Sequence, residues 1–209
     1  MKASGFSKRN HGRPGKNIGR CLLIDSRGAQ IAEFAVALPL LMVFVVGIFD
    51  FGLAFGTKQK LANAAREGAR VAANQPTTDL SLTPAGGCNA PDSICAIRDV
   101  VGNDLVAARV DDCGLGSTPA LPPTGPLAWT FSSTGGCAGA LTLTIERGYT
   151  FSSNLPAPYP SALTVEATRI TLTYTYKWRF NSVITLLIPG ARYSGTTPLT
   201  TVSIMQNLN

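Results

Sequence analysis

"EFAVALPLLMVFVVGIFDFGLAFG", residues 33–56, decides how the rest of the chain is read. From Phe34 to Phe49 no residue is charged, and from Phe34 to Gly56 only Asp50 interrupts. At 1.5 Å per residue the longer stretch spans about 35 Å as a helix, enough for a bilayer core of about 30 Å. Asp50 then falls about 24 Å from Phe34, near the far headgroups, where a charge costs little. Pro39 removes one helical N–H and is expected to kink the helix.

Helical patterning continues beyond the apolar run. In "TKQKLANAAREGARVAANQP" (57–76), Leu61, Ala64, Ala65, Gly68, Val71 and Ala72 recur at three- and four-residue spacing, and Pro76 ends the pattern. One helix from about Ile31 to Asn74 is therefore expected, half in lipid and half outside. The stripe of small residues permits close approach of either a partner helix or the chain's own following domain. Glu67 and Arg70 stand three residues apart beside Arg66. They support the helix as an ion pair, or present fixed charges to a partner subunit.

Charge and cysteines divide the chain at the same place. The chain carries +6, and Lys2, Lys8, Arg9, Arg13, Lys16, Arg20 and Arg27 against Asp25 account for all of it by residue 28. From Ala29 onward acidic and basic residues balance, so the body has no basic excess with which to grip phosphates and nucleic acid is excluded as a partner. Cys88, Cys95, Cys113 and Cys137 all lie beyond the apolar run in Gly/Pro-rich sequence. An even set of this kind reads as two disulfides in an oxidising compartment. Short separations favour Cys88–Cys95 with Cys113–Cys137. No C-x-x-C pair and no histidine beyond His11 supports zinc, so no metal or other cofactor is expected. Near the apolar run itself, basic residues flank both sides. The whole short tail, with the disulfides, places the N-terminus inside and the C-terminal domain outside.

Residues 76–92 form a Thr/Gly/Pro-rich loop. Asp92 or Ser93 is expected to cap a helix over about Ile94–Val110, with Ile97, Val100, Val101 and Leu105 on its apolar side. Strands are predicted at about Leu127–Ser132, Leu141–Tyr149 and Leu163–Phe180, with a short apolar piece at Val183–Ile188 and a last strand at Leu199–Met205. In the longest strand Ile170, Leu172, Tyr174, Tyr176, Trp178 and Phe180 alternate with Arg169, Thr171, Thr173, Thr175, Lys177 and Arg179. One face buries and the other meets water, as in an antiparallel sheet. The fold class is α+β: a long N-terminal transmembrane and stalk helix, then an extracytoplasmic domain with an antiparallel sheet and one helix. The predicted divisions are 1–28, 29–75 and 76–209.

A secretory signal also runs from basic to apolar, but its apolar part is about 7–15 residues with a small-x-small cut site after it. This run is longer, and a plain signal anchor leaves Gly28 and Glu33 without a role. Gly28, Glu33 and Phe34 resemble the prepilin signal: glycine, cut, four residues, glutamate, then an aromatic or apolar helix. Further on stand Leu38-Pro39, Gly47, Asp50-Phe51-Gly52 and Ala64–Arg70. Together these make residues 27–73 similar to the TadE-like family of minor pseudopilins from tight-adherence (Flp-type) pilus systems. The resemblance implies a cut between Gly28 and Ala29 by a membrane prepilin peptidase. It implies that Glu33, with Phe34, docks on the new amino terminus of another pilin-like subunit, and that a pilus assembly platform is a partner. A carboxylate and an ammonium in one lipid layer each require a partner, which makes such docking physically reasonable.

The expected function is thus a minor pseudopilin-like protein of the cell (inner) membrane, single-pass and lipid-embedded, supporting pilus assembly. The alternative is a signal-anchored extracytoplasmic binding or adhesion module. An enzyme is not expected: beyond Gly28 no histidine remains for Ser-His, Cys-His or His-metal chemistry. The pair Asp111-Asp112 reads as solvated residues at a helix end, and no catalytic residue is assigned.

Overall fold

In the computed structural model the described residues are 26–81, 87–123, 125–153, 163–179, 190 and 195–208. The chain divides at Leu40/Leu41 into two compact units. Helix α1 is assigned over Ser26–Asn74 and is not interrupted at Pro39. In the first unit, side chains from Ile31 to Leu38 are exposed on all sides.

In the second unit α1 is followed by a 3-10 turn at Thr78–Ser81, helix α2 (Asp92–Ala107), a second 3-10 turn at Leu115–Ser117, and four strands. These are β1 (Ala128–Ser133), β2 (Leu141–Ser153), β3 (Leu163–Lys177) and β4 (Thr196–Gln206). They form an antiparallel meander in the order β1-β2-β3-β4. The α+β architecture is the one expected. Each strand overlaps its expected range, though β2 runs four residues past its expected end and β3 ends at Lys177, before Trp178 and Arg179. Phe180 and the Val183–Ile188 piece lie outside the described residues.

One face of the sheet is the core. Trp129 and Phe131 of β1, Leu141, Leu143 and Ile145 of β2, and Ile170 and Leu172 of β3 share a buried cluster with Ile94, Ile97, Val101 and Leu105 of α2. Leu61, Ala64, Ala65, Ala69 and Ala72 of α1 belong to the same cluster, each with no exposed surface. The small-residue stripe therefore packs on its own domain, and the reading in which it meets a partner helix is set aside. Gly68 shows why the stripe is small. A Cβ there would lie 2.5 Å from Val101 Cγ2 and 3.1 Å from Ile170 Cδ1, so α1 approaches α2 and β3 closely only because position 68 has no side chain. The opposite sheet face carries threonines paired across strands, Thr130 with Thr144 at 3.2 Å and Thr173 with Thr200 at 3.1 Å. The Arg169–Glu146 ion pair stands in the same register.

The start of α2 departs from expectation. Pro91 is the N-cap and offers no side-chain bond. The carboxylate of Asp79, from the preceding 3-10 turn, accepts the Ser93 N–H at 2.9 Å and the Ser93 hydroxyl at 3.0 Å. The capping is done from outside the helix, so neither Asp92 nor Ser93 acts as the cap. A cap supplied by a residue fourteen positions away leaves no local pattern to read.

Candidate functional site

The motif residues fall on α1 in three groups, set by where the helix is covered. Gly28 and Ala29 lie in its first turn. Gly28 is exposed, and a Cβ placed on it would meet nothing within 4 Å. Glu33 and Phe34 follow about a turn later, both exposed, Phe34 at 65%. Among the described residues no ion pair reaches Glu33. A carboxylate on an exposed apolar helix requires a cation or a proton once lipid surrounds it. From Ile31 to Phe55 large apolar side chains are exposed around the helix, among them Leu41, Phe44, Ile48, Phe49, Phe51 and Phe55. This helix is long and apolar enough to cross a membrane.

Asp50 is the second group, and the structure gives it a setting the sequence does not reveal. It is 3% exposed. The Tyr176 hydroxyl from the end of β3 donates to its Oδ1 at 2.9 Å. Burial, followed by the bond to Asp50 and the charge of Asp50, pushes the Tyr176 hydroxyl up to about 12. Trp178 completes the junction. Its ring stands 5.1 Å from Phe51 and 5.2 Å from Tyr176, both edge-on, and its indole N–H donates to Thr197 Oγ1 at 2.7 Å. The carboxylate is not merely tolerated among headgroups; it is hydrogen-bonded to the head. The signal was in the alternation, since Tyr176 falls on the core-facing side of β3 with a polar tip that needs a partner.

The third group is the outward face of the stalk. Arg70 donates to Glu67 at 2.7 Å, with side-chain exposures of 67% and 38%, and Arg66 is exposed beside them. The three charges lie away from the buried alanine stripe. Behind them, the C-terminal carbonyls of α1 are satisfied by a residue that the motif reading missed. Arg147 of β2 is 2% exposed and its guanidinium donates to the carbonyls of Ala72 and Gln75. Desolvation lowers its pKa, opposed by the charge of Asp79. A cation at the negative end of a helix is favourable. Arg147 continues the inward series Leu141, Leu143, Ile145, so a charge at a core position was the available clue.

The cysteines pair as Cys88–Cys95 and Cys113–Cys137, with Cα–Cα distances of 6.2 Å and 5.5 Å. Asp111, Cys113 and Cys137 bring donor atoms close together, but both sulfurs are committed to the disulfide and so are not thiolate ligands. Asp111 Oδ1 accepts the Cys113 N–H at 2.8 Å and Asp112 Oδ1 the Gly114 N–H at 3.2 Å, each turning the chain locally.

Fold and helix together define the class: an α+β head whose first helix fits a single-pass membrane anchor. The segment from Gly28 to Arg70 is more specific, because residues 28–70 match the protein family described as TadE-like protein. The match takes in Gly28, Glu33, Phe34, Asp50 and the Arg66–Glu67–Arg70 group alike. No curated protein and no solved structure matches the chain.

Proposed function

We propose that this protein is a minor pseudopilin-like subunit that supports assembly of a tight-adherence (Flp-type) pilus and catalyses no reaction itself. The observation that carries the reading is that the TadE-like match begins at Gly28, the residue at which the basic leader ends. In this reading a prepilin peptidase cuts between Gly28 and Ala29 at the cytoplasmic face of the inner membrane. The leader stays inside and the disulfide-bearing head stands outside. Glu33 then neutralises the new α-amino group of a neighbouring pilin-like subunit, with Phe34 packed beside it, and the assembly platform receives the pair. Exposure of Gly28, Glu33 and Phe34 supports this, since both a protease and a neighbour need access to them.

The test is the mass of the membrane-bound form. Wild type is expected to begin at Ala29, and a bulky replacement such as Gly28→Phe to retain the leader. Glu33→Gln is expected to insert and be cut as before, but to recover fewer pilin-like partners at equal membrane abundance. A mature N-terminus elsewhere, or equal processing of the Gly28 variant, overturns the pseudopilin reading. Unchanged partner recovery by Glu33→Gln overturns only the docking role.

A further inference from the structure

At the end of the exposed apolar part of α1, the head carries a cleft of about 560 Å³. Among the described residues four cations line it: Lys60 from α1, Arg109 from the turn after α2, Lys177 at the end of β3 and Arg179 two residues past it. Tyr176 and Trp178 form part of its wall. The polar tips of these two rings are already engaged, Tyr176 on Asp50 and Trp178 on Thr197, so they offer the cleft their apolar faces. Two carboxylates act on the tyrosines nearby, Asp50 on Tyr176 and Asp111 on Tyr174. Neither lines the cleft, and among the described residues no carboxylate lines it to neutralise the cations.

Depth is fixed by the helix itself. The last large exposed apolar residue of the run is Phe55, while Leu53, Thr57 and Lys60 of the same helix border the cleft. At 1.5 Å per residue Lys60 stands about 8 Å beyond Phe55 along the axis. When the apolar run fills the hydrocarbon core, the cleft straddles its edge, with Leu53, Tyr176 and Trp178 at the top of the hydrocarbon and Lys60 in the headgroup layer. A phosphodiester lying there is met by cations, while the glycerol and upper acyl carbons meet aromatic faces and Leu53. Aromatic rings at such a depth, with their polar tips satisfied, are the usual interfacial arrangement.

We infer that this cleft is a binding site for the headgroup of an anionic glycerophospholipid in the leaflet next to the head. The site rests on α1 being membrane-embedded and not on leader cleavage or pilus assembly. A failure here therefore leaves those untouched, and the reverse holds equally. Its consequence is orientational: a lipid held between the helix exit and the β3 end fixes the rotation of the head above the membrane.

The full chain, purified in a neutral detergent, is titrated with phosphatidylglycerol or phosphatidylcholine and the bound lipid is read by native mass spectrometry. Phosphatidylglycerol is expected to be retained through delipidation and phosphatidylcholine lost. The exposed pair Lys60→Gln with Lys177→Gln should weaken retention on the order of tenfold, from the attraction of two cations at a membrane surface. Val202→Glu with Gln206→Glu, exposed on β4, lowers net charge equally far from the cleft and should leave retention unchanged. Equal retention of the two lipids overturns the inference. So does unchanged retention in the lysine pair, or a matching loss in the β4 pair.

Discussion

Within the second unit α1 has two halves that obey the same period and meet different surroundings. From Leu41 to Phe55 most of its side chains are large, apolar and exposed, and only Asp50 and Ala54 are buried. From Leu61 to Ala73 they are mostly small, and one stripe of them is fully buried while Arg66 and Arg70 face out. The difference teaches what each half needs from its neighbour. A helix apolar on every side cannot be satisfied by one packing partner and requires a solvent of its own kind. A helix apolar on one side needs only the sheet and α2, and its alanines with Gly68 let those elements come close. The change occurs within about two turns, between Phe55 and Leu61, just past the level at which Tyr176 and Trp178 meet Asp50 and Phe51.

The largest effect that can break this comparison is a truncation in each half. Leu61→Ala removes a side chain with no exposed surface from the core and should destabilise the head by about 2–5 kcal/mol. Phe49→Ala, at a position 70% exposed, should leave unfolding of the head in detergent within about 0.5 kcal/mol. Chemical denaturation of the full chain reads both. Comparable losses at the two positions would mean that the halves are covered alike.

The anchor was legible because its signals are local. An uncharged run, a charge boundary at Gly28 and the Gly28–Glu33 spacing need no tertiary partner to be read. The strands were legible for the same reason, since period-two alternation in β3 states which face is buried. What stayed hidden depends on contacts distant in sequence. The Asp79 cap on Ser93, the Tyr176 bond to Asp50 and the Arg147 grip on the end of α1 join residues 14, 126 and 75 positions apart. In each case sequence shows a polar group needing a partner and cannot say which partner arrives. The choice between a stripe facing a partner helix and one facing its own domain was open for that reason. Gly68 settles it through its closeness to Val101 and Ile170.

A smaller effect sharpens the boundary between the halves. Tyr176 has a folded pKa of about 12 against an ordinary 10.0, with burial and Asp50 as causes. A raised folded pKa means that the contribution is whole below pH 10 and is lost as pH climbs to about 12. Tyr174 shifts in the same direction, from burial and Asp111, and adds to the loss. Stability of the head should therefore fall across this window, and Tyr176→Phe should flatten the fall while lowering the neutral-pH plateau. Denaturation midpoints at successive alkaline pH values decide it. An alkaline fall as steep in Tyr176→Phe as in wild type would mean that the junction does not hold that hydroxyl.

The smallest effect concerns the outward charges of the stalk, and its smallness is what makes it informative. The Glu67–Arg70 pair is exposed on both sides, and an exposed i,i+3 pair supports a helix by only a few tenths of a kcal/mol. Glu67→Gln and Arg70→Gln should each leave head stability within about 0.5 kcal/mol, because the stripe behind them is untouched. A loss of pilin-like partners in these variants therefore cannot be ascribed to unfolding. If Arg66, Glu67 and Arg70 form a docking face, partner recovery from the membrane falls in the single variants. It returns in the swapped pair, Glu67→Arg with Arg70→Glu, only if the face needs the ion pair and not the sign at each position. If they serve the helix alone, recovery stays at the wild-type level in all three, and the docking role rests on Glu33 and Phe34.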